Sequence, residues 1–189
     1  LISPNKIQNN FFNKLNLVFK LNKISFFQLR LKKNTTKQKL NFAKKVKKIC
    51  KKHNVKLIIN DNPNLAKKIG ANGCHLGQTD TPLVQARKLL NNKIIGITCH
   101  NSKKLIKKAA NEGADYVALG AFFKSKTKKT KFKAKLNLLK WAKKNIKVPI
   151  VAIGGINSKN YQKLLLNNAN FLAISGYVWR NKKKLQLKH

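Results

Sequence analysis

The sequence predicts an α/β fold, a single-domain (β/α)8 TIM barrel over residues 1–189, and two observations predict it. Short, continuous apolar runs alternate with amphipathic helical stripes along the chain, and polar or charged residues recur just past the C-terminal end of nearly every run. Unbroken apolar strands are buried on both faces, which a parallel sheet covered by helices provides and which eight βα units can close into a barrel. An open doubly wound sheet is the runner-up. The chain's 189 residues suffice for one core and are short for two. They fall below the roughly 200–250 residues usual for such barrels, which short loops and a trimmed start would reconcile.

Leu1–Ser3 is a short apolar start ahead of Pro4 with no distinguishing signal of its own. Phe11, Phe12, Leu15, Val18 and Phe19 recur at helical spacing, and Ile24–Leu29 reads as a strand running into Arg30-Leu31-Lys32-Lys33. Leu40, Ala43, Val46, Ile49 and Cys50 make the apolar stripe of the next helix, with lysines on its other face. Val55–Ile59 follows as a strand, then a short helix over Leu65–Ile69 closed by Gly70, then the strand Cys74–Leu76. Thr81-Pro82 has the order of a cap and a first-turn proline, opening a helix through Leu83, Val84, Ala86, Leu89 and Leu90.

Ile94–Ile97 is the next strand. Ser102 caps a helix carrying Leu105, Ile106, Ala109 and Ala110, Gly113 ends it, and Tyr116–Leu119 is a strand again. A basic stretch from Lys124 to Lys133 precedes the helix of Leu136, Leu138, Leu139, Trp141 and Ala142. Pro149–Ile153 then stops at Gly154-Gly155, a helix holding Tyr161, Leu164 and Leu165 starts from Asn157 or Ser158, and Phe171–Ile174 is the last strand.

The formal charge is +39, from 43 Lys+Arg against 4 Asp+Glu. Such a balance suits a nucleic-acid or anionic-membrane partner, or else a drift in base composition that enriches Lys, Asn and Ile everywhere. The lysines sit around the outer faces of the helices rather than in one patch with interleaved aromatics, so no specific nucleic acid is expected. No apolar run approaches the roughly 20 residues of a membrane span. Cys50, Cys74 and Cys99 lie far apart without paired spacing, which argues against a disulfide framework or zinc site and leaves a reducing cytoplasm as the default. The chain opens at Leu1 and holds no Met, so its true start, with any targeting segment, is left open. No oligomeric state is read from the sequence.

In a barrel the chemistry gathers beyond the C-terminal strand ends. Counting Ile24–Leu29 as the second strand, that strand ends in Gln28, Arg30 and Lys32, the third in Asn60 and Asp61, and the fourth in Gln78 and Asp80. The fifth ends in Thr98 and His100, the sixth leads to Ser125, Thr127 and Lys128, the seventh to Gly154-Gly155 and the eighth to Ser175-Gly176. Asp61 and Asp80 are two of only four acids in the chain, and a pair so placed suits Mg²⁺, which one or two carboxylates plus substrate phosphate usually hold. The glycine loops after the last two strands match a phosphate site, and Arg30, Lys32 and Lys128 supply a second anion site. Two anion sites and a metal suggest joining a diphosphate to a monophosphate. His75 is read as hydrogen-bonded structure, His100 is left open, and Asp115 is read as structural because it precedes its strand.

Six segments occur together and in order: Gln28-Leu29-Arg30-Leu31-Lys32, Ile59-Asn60-Asp61, Gly73-Cys74-His75-Leu76-Gly77-Gln78-Thr79-Asp80, Gly113-Ala114-Asp115-Tyr116, Ser125-Lys126-Thr127-Lys128 and Ala152-Ile153-Gly154-Gly155-Ile156. In these the chain closely resembles the thiamine phosphate synthase family over essentially its whole length. The resemblance implies transfer of the pyrimidinylmethyl group of 4-amino-5-hydroxymethyl-2-methylpyrimidine diphosphate to the nitrogen of thiazole phosphate, with the diphosphate leaving first. It implies that Gln28, Arg30, Lys32, Asn60 and Lys128 bind the pyrimidine diphosphate and that Asp61 and Asp80 bind Mg²⁺. Ser125, Thr127, Gly155 and Ser175 would hold the thiazole phosphate, and Thr98 stands where the family has a Ser near the substrates. Arg30, Lys32, Lys128 and Thr98 carry the catalytic expectations.

The chain departs from the family pattern at Lys124 (often Pro), Ser125 (often Thr), Asn170 (often Gly) and Lys33 (often an acid), none of which removes a charged catalytic group. A thiazole tautomerase-like barrel of the same pathway is the nearest alternative, and it would lack the set Arg30, Lys32 and Lys128. A non-catalytic basic nucleic-acid-binding protein is the alternative from another class.

Overall fold

The computed structural model describes the chain except for residues 5, 6, 9, 33, 126–130 and 181–189. Seven strands, β1 (Phe26–Leu29), β2 (Lys56–Asn60), β3 (Gly73–Leu76), β4 (Ile94–His100), β5 (Tyr116–Gly120), β6 (Ile150–Ile153) and β7 (Phe171–Ala173), form one parallel sheet in sequence order. Helix α1 (Phe11–Leu21) precedes them, α2 (Thr36–Lys52), α3 (Pro63–Ile69), α4 (Leu83–Leu90), α5 (Lys103–Asn111), α6 (Asn137–Asn145) and α7 (Tyr161–Leu165) connect them, and α8 (Gly176–Arg180) follows.

The expected alternation of strand and helix is therefore present in a curled parallel sheet. Leu1–Ser3, which carried no signal of its own, is joined to it. Gln28 N donates to Leu1 O at 2.8 Å, Ser3 N to Gln28 O at 2.9 Å, and Ile2 N to Ile174 O, just past β7, at 2.9 Å.

Strand periodicity sorts the side chains into two layers. Phe27 and Leu29, Leu57 and Ile59, Cys74 and Leu76, Ile95 and Ile97, Val117 and Leu119, and Ile150 and Ala152 pack with the apolar stripes of the helices in one continuous core. Burying each of the larger side chains contributes about 1.5–3 kcal/mol. The alternate residues face the other way, and here the sequence expectation of uniformly apolar strands needs correcting. Gln28, Asn60, His75, Thr98 and Tyr116 line the inner face and put a polar girdle inside the sheet.

Local chemistry explains the helix ends. Thr35 and Gln38 form a reciprocal capping box on α2. Asn62 accepts from Leu65 N at 2.8 Å to cap α3, whose chain then leaves through Gly70 at φ +61°. Ser102 caps α5, accepting from Leu105 N. Thr81-Pro82 behaves differently from expectation: Pro82 itself occupies the cap position and no side chain caps α4. Likewise α7 begins at Tyr161 behind Asn160, because Asn157 is spent on a turn, its Oδ1 accepting from Lys159 N at 2.8 Å. No described helix is long and apolar enough to cross a membrane.

The N-terminal rim of the sheet is clamped by Arg87 and Asp115. Asp115 Oδ2 accepts from Ile95 N at 2.7 Å and from Arg87 Nη2 at 2.6 Å, and Arg87 also donates to the carbonyls of Asn91, Lys93 and Gly113. This confirms Asp115 as structural. Arg87→Ala is expected to cost about 1.5–3 kcal/mol, the range for charge-assisted bonds, read as a lower melting temperature with activity per folded molecule unchanged.

Candidate active site

The opposite rim encloses a cavity of about 780 Å³. It is lined by residues from the ends of β1 to β7, among them Gln28, Arg30, Lys32, Asn60, Asp61, Asp80, Thr98, Ser125, Gly155 and Ser175. All the described candidates thus meet in one place, because parallel strands of similar length deliver their C-terminal residues to one rim. Thr127 and Lys128 lie outside the described residues.

One side of the cavity is an acid and base cluster. Lys32 Nζ lies 3.4 Å from Asp61 Oδ2, and the Asp61 and Asp80 side chains are within hydrogen-bonding reach of each other. Asp61 sits at φ +62°, a left-handed turn that reverses the chain directly after β2, with its N–H bonded to His75 O at 2.8 Å. Asp80 Oδ2 accepts from Gly77 N at 2.7 Å, which folds the β3–α4 loop back over the rim. Burial first, and then the neighbouring Asp80, raise the Asp61 pKa above the ordinary carboxylate value, with Lys32 opposing.

Two acids pressed together beside a lysine are a donor set for a hard cation. Among the described residues no third His, Cys, Asp or Glu joins them, so an ion there needs oxygens from a ligand to complete its shell.

The raised pKa has a stability consequence. The folded chain holds the Asp61 proton more tightly than the unfolded chain, so stability is fullest below the unfolded value of about 3.9 and falls as pH rises through the higher folded value. Asp61→Asn is therefore expected to raise the melting temperature at neutral pH and to leave it unchanged at pH 3, while turnover is lost. A variant less stable than the parent at pH 7 contradicts this.

The other side is built from backbone. Gly154 and Gly155 have φ +104° and +66°, and the loop after β5 lies against them. Phe122 N donates to Ile153 O at 3.1 Å and Phe123 N to Gly154 O at 3.0 Å, which brings Ser125 beside the glycine turn. Asn160 Nδ2 donates to Gly155 O at 3.1 Å and holds the turn from behind. Ser175 Oγ donates to Ser3 O at 3.1 Å and so faces the same end of the cavity.

Ser3 was missed by sequence reasoning, and no signal in a three-residue apolar start could have found it. It is buried, and its Oγ accepts from Arg30 N at 2.9 Å, so one serine links the Arg30 side of the cavity to the Ser175 side. Lys124, Lys131 and Arg180 also line the cavity and had no assigned role. His100 stacks on Phe132 with ring centroids 4.3 Å apart, bracing the returning end of the β5–α6 loop. His75 is buried and doubly hydrogen-bonded, as its structural reading required.

A parallel α/β chain whose strand C-termini gather cations, a carboxylate pair and a glycine-built anion cradle in one cavity belongs among enzymes acting on phosphorylated small molecules. The family model for thiamine monophosphate synthase matches residues 1–178. The thiamine-phosphate synthase of Pelagibacter ubique is 64% identical over 184 residues, covering 97% of this chain and 89% of that protein. That of Saccharophagus degradans is 45% identical over 152 residues, covering 80% and 70%. The chain belongs to the thiamine monophosphate synthase family.

Among solved structures, thiamine phosphate pyrophosphorylase from Pyrococcus furiosus superposes with a TM-score of 0.88 at 22% identity, covering 98% of this chain and 89% of that one. The YdjI aldolase from Escherichia coli reaches 0.72 at 11% identity, covering 95% and 77%. These likenesses speak for the fold alone.

Proposed function

We propose that this chain is a transferase of thiamine biosynthesis that joins 4-amino-5-hydroxymethyl-2-methylpyrimidine diphosphate to thiazole phosphate, giving thiamine phosphate and diphosphate. The observation that carries the reading is the pairing, in one cavity, of the cluster Arg30, Lys32, Asp61 and Asp80 with the glycine and serine cradle opposite. One side suits a diphosphate with a cation, the other a phosphate monoester. The catalytic frame is a full eight-stranded barrel whose eighth place is taken by Leu1–Ser3, a reading supported by its bonds to β1 and to Ile174.

In the reaction the bond between the methylene carbon and the bridging diphosphate oxygen breaks, and the electron pair leaves with the diphosphate. The thiazole nitrogen then forms the new bond with its lone pair. Arg30, Lys32 and Lys128 bind the departing anion, and no side chain needs to act as a general base. Asp61 and Asp80 would hold Mg²⁺, which would supply further positive charge to the leaving diphosphate. Gln28, Asn60 and Thr98 orient the pyrimidine, and the backbone at Gly155 with Ser125, Thr127 and Ser175 anchors the thiazole phosphate. Buried, unpaired Cys50, Cys74 and Cys99 are in keeping with a cytoplasmic enzyme.

The test is incubation of the purified chain with both substrates and Mg²⁺, with thiamine phosphate measured by mass spectrometry. Product that depends on both substrates and is lost in Arg30→Ala supports the reading. Absence of product under conditions where the chain is folded overturns it.

A further inference from the structure

His75, Gly96 and Tyr116 are register neighbours on β3, β4 and β5. Side chains two strands apart stand roughly 9–10 Å from each other at their backbones, too far for a direct bond when a side chain intervenes. Gly96 removes that side chain. A Cβ added there would fall inside the Tyr116 ring, so the phenol lies over the glycine and its hydroxyl reaches His75 Nδ1 at 2.9 Å. The two rings are within 19° of coplanar, with centroids 5.6 Å apart.

The second ring nitrogen, Nε2, lies 2.7 Å from Thr98 Oγ1, one pleat further along β4 than Gly96. Gln28 reaches the same phenol from β1. The four side chains form a file, His75 buried and the other three half-buried, that ends at the cavity, where Gln28, His75 and Thr98 are all part of the lining.

Counting hydrogens gives the file a direction. His75 is buried with a hydroxyl, and no carboxylate, at each ring nitrogen, so imidazole and phenol are both neutral and each has one hydrogen to give. The phenol is the more acidic of the two hydroxyls that flank the ring and so donates to Nδ1, which leaves the imidazole hydrogen on Nε2, with the Gln28 amide beside the phenol on its far side. Nε2 donates to Thr98 Oγ1, which as an acceptor there turns its own hydrogen elsewhere.

We propose that Gln28, Tyr116 and His75 form a one-way hydrogen-bond chain that commits the Thr98 hydroxyl hydrogen to the cavity, aimed at an acceptor atom of the bound pyrimidine. His75 and Tyr116 are thereby positioning residues acting through Thr98. The inference rests on the proposed reaction for the identity of the ligand, and on the hydrogen-bond geometry with the greater acidity of the phenol for the direction of the chain.

The test has two arms. In ¹⁵N-histidine-labelled protein, with the His75 signal identified by its loss in His75→Gln, the hydrogen is expected on Nε2 with Nδ1 bare. A hydrogen on Nδ1 overturns the proposal, whatever the activity. In steady-state kinetics Tyr116→Phe, which keeps the ring over Gly96, is expected to lower kcat between about 3- and 10-fold, the worth of one neutral hydrogen bond, with both KM values within twofold. His75→Gln, which keeps an amide N–H toward Thr98, should retain more activity than His75→Leu. In a Thr98→Val background Tyr116→Phe should cost nothing more. An unchanged kcat in Tyr116→Phe, or full additivity with Thr98→Val, overturns the proposal while the parent still makes product. A parent that makes no thiamine phosphate overturns the functional reading instead, and the tautomer then decides the chain on its own.

Discussion

Asp80→Ala is expected to lower thiamine phosphate formation by at least about 10²–10³-fold, the usual loss when one preorganised charge-stabilising group is removed from a reacting centre. Asp80 does two things at the rim. It faces Asp61 as the second carboxylate of the proposed cation site, and it accepts from Gly77 N to hold the β3–α4 loop. Loss of the second role costs about 1.5–3 kcal/mol of stability, the range for a charge-assisted bond, since Asp80 leaves the apolar core untouched. Initial rates across a Mg²⁺ titration, with thermal unfolding followed by circular dichroism, separate the two. Added Mg²⁺ should not restore the rate, and near-parental turnover would remove Asp80 from the site.

Gly155→Ala is expected to act on the other substrate, raising the KM for thiazole phosphate by at least about tenfold with that for the pyrimidine diphosphate little changed. At φ +66° an alanine is disfavoured by about 1–2 kcal/mol. Its Cβ would also lie 2.5 Å from Lys124 O and 2.7 Å from Phe123 O, so the loop that carries Ser125 has to move away. At this chain length such a loss lowers the melting temperature by about 2–4 °C per kcal/mol. A change confined to the pyrimidine diphosphate would show that the two substrates sit the other way round.

Strands were legible where both faces carry structure. Leu57–Ile59 and Tyr116–Leu119 are apolar enough to be found by composition, and the closing Gly70 and the cap Ser102 mark helices between them. The rim residues followed, because a parallel sheet fixes which end of each strand faces the cavity. β4 was read too short: it continues through Thr98 to His100, past a register shift that no apolar pattern records.

Leu1–Ser3 was opaque because its place depends on two distant edges, β1 and the end of β7, rather than on its own residues. Gly96 carries no reading of its own in the sequence, although a glycine inside an apolar strand is a mark of close approach. What approaches it is a tyrosine one strand away, and only the pairing register supplies that. The +39 charge is the most conspicuous feature of the composition, and among the described residues most of its lysines lie exposed on the helices.

The most direct measurement is ³¹P magnetic resonance of a single reaction holding both substrates, Mg²⁺ and the purified chain. Thiamine phosphate and diphosphate should appear together in equal amounts, and neither should form when either substrate is withheld. Diphosphate released without thiamine phosphate, or no new resonance from a folded chain, would contradict the account.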